Sequence, residues 1–329
     1  MIKSKITSAL ILSAFTALIA SCATTKVTNT NSDSVEISVP ETTEKVRKEP
    51  KAIAVQNTSN QQEKKFRELL TSLEIKVTGQ PKQTYSNTAF NSDYSISVTN
   101  AEGPVKDLSI TVSYPSARTN DTISYNTVQI TTDEEGKAVF KPEVPAFAIK
   151  DEVTFYPTPV SSNAQIVKAA YDVSVKAPYM VKSSYTKYPF GILYVYDFNE
   201  SGRPTTNNFT ILQSLRNSGV SVGNSPISDT SYFNKPLASL YKANYNIVGN
   251  AYNFLVVGSI KYAEPAVEEA DSATVKLRAE ITCVDMKNGS VLYETSFEET
   301  ITDKNKWSAD QKCRKVLAEK ASRAIIYGM

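Results

Sequence analysis

The chain has 329 residues, with 36 basic and 34 acidic side chains, a formal net charge of +2 and no histidine. The missing imidazole excludes histidine-dependent triads and histidine-ligated zinc sites, and the near-neutral balance argues against a nucleic-acid-binding face or strong attraction to acidic lipid. An ordinary apolar share of 41% and this length suit roughly two domains, each with its own core. Carboxylate and Ser/Lys chemistry stay open on composition alone.

At the start, Lys3 and Lys5 precede an apolar run from Ala9 to Ala20 that is too short to span a bilayer as a stable helix. The run ends in Ile19-Ala20-Ser21-Cys22, which resembles the lipobox of bacterial lipoproteins. The resemblance implies a signal peptide over 1–21, removed on processing, and a mature chain that begins at a lipidated Cys22 (palmitate among its acyl groups). That places the protein in the cell envelope, anchored to a membrane. Residue 23 is Ala, not Asp; by analogy with lipoprotein sorting this points to the outer membrane, on its periplasmic face or at the surface. Residues 22–60 are rich in Thr, Ser, Asn, Lys and Glu with no sustained period, as expected of a flexible tether.

Residues 61–181 form the next unit. Phe66, Leu69, Leu70 and Leu73 share helical spacing over Gln61–Leu73. Period-two alternation then marks short strands at Leu73–Val77, Tyr94–Val98, Leu108–Val112, Val128–Ile130, Ala138–Phe140, Val153–Tyr156 and Tyr171–Val175. Turn signals separate them, including Asn100–Pro104, Asp133–Gly136 and Pro157-Thr158-Pro159. Seven punctuated strands predict an all-β sandwich. Thr131–Phe140, with Gly136 at a corner that needs positive φ, is similar to the recurring hairpin of bacterial immunoglobulin-like domains. The resemblance implies an immunoglobulin-like fold and says little about function, because that fold hosts spacers, adhesins and enzyme appendages alike.

Ala177 to Pro189 reads as a linker, and residues 182–329 as an α/β domain, a mixed sheet with helices. Gly191–Phe198 and Phe254–Ile260 are apolar enough for central strands. Helices are expected over Thr206–Asn217, from Pro236, and over Ser308–Tyr327, with a short return strand at Val220–Val222. Thr274–Met286 and Ser290–Thr302 form a hairpin through Asn288-Gly289. Three stretches carry a further likeness: Asp197–Glu200 after the first strand, Ala251–Ile260, and Cys283–Leu292. Their order resembles the periplasmic fold shared by the amino-terminal domain of TolB, the curli-secretion lipoprotein and the penicillin-binding-protein activator lipoproteins. Ala263–Ser272 is short and acidic, so it cannot supply a lipid-facing hairpin like that of the secretion channel. No propeller repeats follow.

In such a fold the last helix lies on the sheet. Cys283 shares a strand face with Val275, Leu277, Ala279 and Ile281, while Cys313 lies on an apolar stripe with Ala309, Val316, Leu317, Ala321, Ala324 and Ile325. With Cys22 lipidated, this pair either forms a disulfide, which adds roughly 2–4 kcal/mol, or remains as two buried thiols. No Cys-x-x-Cys, phosphate loop, Gly-x-Ser-x-Gly elbow or calcium-loop spacing is present.

The candidate partner-binding residues are Asp197, Asn199, Glu200 and Arg203, at the carboxyl end of the first α/β strand where ligands often sit, together with Tyr196 and Trp307. The alternatives are a solvated loop that caps the next helix and, for Trp307, a staple between helix and sheet. Tyr185, Tyr188, Tyr194 and Tyr196 make a tyrosine-rich lead-in open to the same two readings. The expected function is a non-catalytic interaction or scaffold lipoprotein, needing no cofactor or metal and binding another envelope protein, in support of envelope or cell-wall assembly. A peptidoglycan- or small-ligand-binding sensor and a surface adhesin are the alternatives.

Overall fold

The structure, a computed structural model, describes residues 60–119 and 122–329. The expected lipobox with Cys22 and the expected tether before Asn60 lie outside the described residues. The described chain is β-rich, with mixed sheets and helices. No helix among the described residues is long and apolar enough to cross a membrane.

The first half runs α1 (Asn60–Ser72), β1 (Glu74–Gly79), β2 (Thr84–Tyr85), β3 (Tyr94–Asn100), β4 (Gly103–Pro104), β5 (Ser109–Thr119), β6 (Thr122–Thr131), β7 (Lys137–Phe140), β8 (Ile149–Pro157), α2 (Ala164–Asp172) and β9 (Val175–Lys182). One sheet gathers β1, β4 and β7 around β3; the other has the order β2-β9-β8-β5-β6. Alternation decides what faces inward. Tyr94, Ile96 and Val98 from β3 meet Ile110 and Val112 from β5, Val153 and Phe155 from β8, and Tyr179 from β9 in one buried cluster. Gly136 takes φ 69°, as its turn demands.

Two expectations fail here. The predicted strand Tyr171–Val175 begins as the end of helix α2. Asn163 caps that helix by accepting from the Gln165 N–H, and Ile166 and Ala170 pack on Phe66 and Leu70 of α1, so tertiary burial overrides a five-residue alternation. The first part of the predicted linker, Ala177 to Lys182, is instead strand β9, whose Ala177, Tyr179 and Val181 point into the sandwich. Pro178 is tolerated because β9 pairs there with β8 alone; β2 reaches only Val181 and Lys182.

The second half runs β10 (Gly191–Phe198), β11 (Pro204–Asn207), α3 (Phe209–Asn217), β12 (Val222–Asn224), α4 (Leu237–Val248), β13 (Phe254–Tyr262), β14 (Val267–Glu268), β15 (Ala273–Asp285), β16 (Val291–Asp303) and α5 (Lys306–Gly328). These strands form one seven-stranded sheet, with β10 parallel to β12 and β13 and with β13, β15 and β16 antiparallel. Helices α3 and α5 cover one face through Leu193, Val195, Val256, Leu277, Ile211 and Leu317. Helix α4 and the turn before it cover the other through Ile192, Tyr194, Leu255 and Leu240. Gly289 takes φ 75° in the hairpin between β15 and β16. On α5 the buried set differs from the predicted stripe. Val316 and Ala324 are half-buried, while Ala318, Ser322 and Ile326 are buried, because α3 packs beside the helix and Ser322 Oγ donates to the Ile211 carbonyl.

The disulfide is not formed. Both Cys283 and Cys313 are free and buried. Cys313 Sγ donates to the Glu299 carbonyl at 3.3 Å, and Glu299 pairs with Leu277, six residues along β15 from Cys283. That offset is roughly 20 Å at about 3.3 Å per residue, far beyond the ~7 Å Cα limit for a bridge. Facing the same core did not bring the thiols to the same place. Burial pushes the Cys283 thiol up to about 12 and the Cys313 thiol up to about 11.

All described residues fall in one compact unit, and polar contacts join the sandwich to the mixed sheet. Arg118 Nη1 donates to the Tyr327 and Gly328 carbonyls at 3.1 and 3.0 Å, with its guanidinium over the Tyr293 ring. The buried Lys182 ammonium donates to the Ser218 carbonyl at 2.9 Å. The Ser183 N–H donates to the Ile326 carbonyl at 2.8 Å.

Candidate functional site

Along β10, side chains alternate between the two faces of the sheet. Tyr194, Tyr196 and Phe198 face the α4 side, and Leu193 and Val195 face α3 and α5. Asp197 continues the second set just past the apolar core, which brings its carboxylate to α5. There Arg314 Nη1 donates to Asp197 Oδ1 at 2.7 Å, and Nε and Nη2 grip Asp310 as a fork at 2.8 and 3.0 Å. Tyr262 at the end of β13 donates its hydroxyl to Asp310 at 2.8 Å. Asn208 links the same network to α3: its amide donates to Asp197 at 2.8 Å and its carbonyl oxygen caps the helix at the Ile211 N–H. Asp197, Asp310 and Arg314 expose only 17%, 14% and 12% of their side chains, so this ion cluster is largely desolvated.

Electrostatics follow from that burial. Desolvation raises the Asp197 carboxyl above the usual aspartate value, against the opposing pull of Arg314 and Asn208. Burial disfavours the Arg314 charge, yet Asp310 and Asp197 together hold its pKa above the ordinary one. Burial, then the bond to Asp310, raises the Tyr262 phenol. Glu200 is different. It is exposed, accepts from Lys306 Nζ at 2.6 Å and from the Ala266 N–H at 2.7 Å, and is held below the usual range by those two bonds.

These groups line an open cleft of about 690 Å³ bounded by Asp197, Glu200, Asn207, Phe209, Lys306 and Arg314. The Asn207 Oδ1 atom is buried with no hydrogen-bond partner among the described residues. Phe209, the first residue of α3, is 67% exposed and Trp307, in the first turn of α5, is 73% exposed. Trp307 stands one turn before Gln311, another cleft residue.

The predicted site residues divide accordingly. Asp197 and Glu200 lie in the cleft. Asn199 lines it too, but its side chain closes the β10–β11 turn, accepting from the Ser201 hydroxyl and the Arg203 N–H. Arg203 has an exposed side chain and serves that turn through its backbone. Tyr196 is buried on the opposite face against Phe233; alternation along β10 removes it from any surface here. Trp307 is an exposed side chain, not a staple. In the tyrosine-rich lead-in, Tyr194 is buried, Tyr185 donates to Asp285, and Tyr188 is exposed. Sequence reasoning missed Arg314, Asp310 and Tyr262. Lys306, Asp310 and Arg314 recur at four-residue spacing on one face of α5, and that periodicity was the available signal. Among the described residues no group of three His, Cys, Asp or Glu side chains is placed to hold a metal ion.

A mixed sheet between helices defines the class to which comparison applies. Residues 190–326 match the family of the TP0693-like lipoprotein C-terminal domain. The match supports a bacterial lipoprotein family, and no catalytic family is indicated. No curated protein matches the chain. Among solved structures, a PelC dodecamer from Paraburkholderia phytofirmans is similar at 15% identity and TM-score 0.27, over 41% of this chain and 84% of PelC. Lipoprotein GNA1162 from Neisseria meningitidis is similar at 16% identity and TM-score 0.24, over 40% of this chain and 99% of its own. The hypothetical protein CT253 from Chlamydia trachomatis is similar at 10% identity and TM-score 0.26, over 41% and 92%.

Proposed function

We propose that this protein is a lipid-anchored envelope lipoprotein, attached through Cys22, that binds another envelope protein at the cleft between β10 and α5. The observation that carries the reading is the pair of exposed aromatic side chains, Phe209 and Trp307, in the first turns of the two helices that flank the cleft. Exposed aromatics beside a polar rim are what protein interfaces favour. The ionic groups beneath them are mutually satisfied, so they shape the cleft without offering a free base or nucleophile. The sandwich serves as spacer; its strand order, β1-β3-β7 facing β9-β8-β5-β6, supports the immunoglobulin-like reading. Ala23 favours the outer membrane.

A second reading, a cell-wall or small-ligand sensor, draws on the same cleft, whose buried Asn207 oxygen would suit a ligand donor. In vivo photocrosslinking from position 307 of the full chain tests both. Capture of one envelope protein, lost in Phe209→Ala, supports the interface. Retention of the full chain on purified cell wall, with no protein captured, overturns it in favour of the sensor.

A further inference from the structure

We propose that β16 pairs with the β16 of a second copy of this chain, antiparallel and centred on Phe297, so that the mixed sheet continues across a two-fold axis. The proposal is independent of the cleft. Strand β16 is 13 residues long and, among the described residues, pairs only with β15. The opposite edge is made of β11 and β12, four and three residues long. Alternate residues of an antiparallel edge direct N–H and C=O groups away from their partner, so a long edge is a template for another strand. Natural edges are blunted by Pro, charge, bulges or shortness; β16 has no Pro and no Lys, its one irregularity lies at its start between Val291 and Tyr293, and no residue in it is buried.

The strand is compatible with itself in the register that pairs all 13 of its residues, centred on its midpoint Phe297. Centred on Phe297, Glu298 faces Ser296 of the second copy, Glu299 faces Thr295, Glu294 faces Thr300, and Tyr293 faces Ile301. No carboxylate meets another directly. Moving the centre to Ser296 sets Glu294 against Glu298 twice, and moving it to Glu298 sets that residue against itself; directly opposed like charges are destabilising. Two of the three glutamates are already neutralised within their own copy, Glu298 by Arg278 and Lys276, and Glu299 by Lys320. On the α5 face the half-buried Tyr293, Phe297 and Ile301 pack against the core. The two-fold keeps both α5 helices on that side, so these apolar edges cover one another.

The test uses the full chain in density-matched detergent, with dimerisation followed by sedimentation. A concentration-dependent dimer is expected. Ser296 is exposed, and substituting it alters two cross-copy contacts with Glu298. Ser296→Glu is expected to weaken the dimer and Ser296→Lys to tighten it, each by roughly two- to thirty-fold. F297C is expected to form a disulfide-linked dimer on mild oxidation. T295C and E299C chains are expected to crosslink when mixed and not when separate. A chain monomeric at every concentration, a dimer indifferent to both Ser296 changes, or absence of the F297C crosslink overturns the proposal.

Discussion

The two ends of the seven-stranded sheet are built on one electrostatic rule and put to different uses. At the Gly191 end of β10, cations from the sandwich meet the carboxyl termini of helices: Lys182 on α3 and Arg118 on α5. At the Phe198 end, amide and acidic side chains meet the amino termini: Asn208 on α3, and Asn305 and Asp303 on α5. Both patterns oppose the helix dipole with the favourable sign. The first end is thereby a joint, closed by another part of the molecule. The second leaves its helix starts open to solvent, with two aromatic side chains displayed. Equivalent electrostatics can thus fasten or present, depending on whether a second layer arrives.

The comparison can be broken most severely at Arg314. Arg314→Ala leaves Asp197 and Asp310 desolvated together, and chemical denaturation is expected to show a loss of about 3 kcal/mol or more. At the other end, Arg118→Met removes charged bonds to the Ala148, Tyr327 and Gly328 carbonyls and is expected to cost about 1.5–3 kcal/mol, with faster amide exchange concentrated in the last turn of α5. If R118M instead loosens the cleft residues, the two ends are not separate units. A carboxyl-detected NMR titration sharpens the contrast within the open end. Glu200 and Asp303 are held low by their bonds to Lys306 and Lys312, so the stability they contribute is present above the ordinary carboxylate range and is lost as pH falls through their folded values. Asp197 is raised, so its folded state gains protons first and its contribution runs the other way. Titration of all three together at ordinary values contradicts this assignment. The smallest effect concerns the core between the ends: at pH 8 neither Cys283 nor Cys313 is expected to react with a thiol reagent until denaturant is added, because the raised thiol pKa values keep both protonated.

Much of the fold was legible in the sequence because its signals are local. Tyr94-Ser95-Ile96-Ser97-Val98 alternates and becomes β3; Asn288-Gly289 makes the turn it promises; the α5 stripe reaches the core at Ala309, Cys313 and Leu317. Helix α2 and strand β9 were obscured because their neighbours decide them: α2 forms where α1 covers it, and Pro178 disguises a strand that has only one partner at that point. The site was half legible. Asp197 and Glu200 could be placed at a strand end, but the cation that completes the cluster lies 117 residues away from Asp197, and no sequence period links β10 to α5. Tyr196 misled for the opposite reason, since its one-residue offset from Asp197 sends it through the sheet.

Helix α1 has a mechanical consequence. It is held to the sandwich by Phe66 and Leu70 packed on Tyr156, Ile166 and Ala170, and by Glu63 and Arg67 bonded to Ser161, Asn163 and Gln165. Strand β1, next along the chain, is stitched by a backbone ladder to β3 from Glu74 to Gly79. A pull entering at Asn60 therefore meets a peelable surface helix before it meets a sheet. Detaching α1 would lengthen the reach of the chain while both sheets of the sandwich keep their pairing, because none of the strand pairs runs through α1.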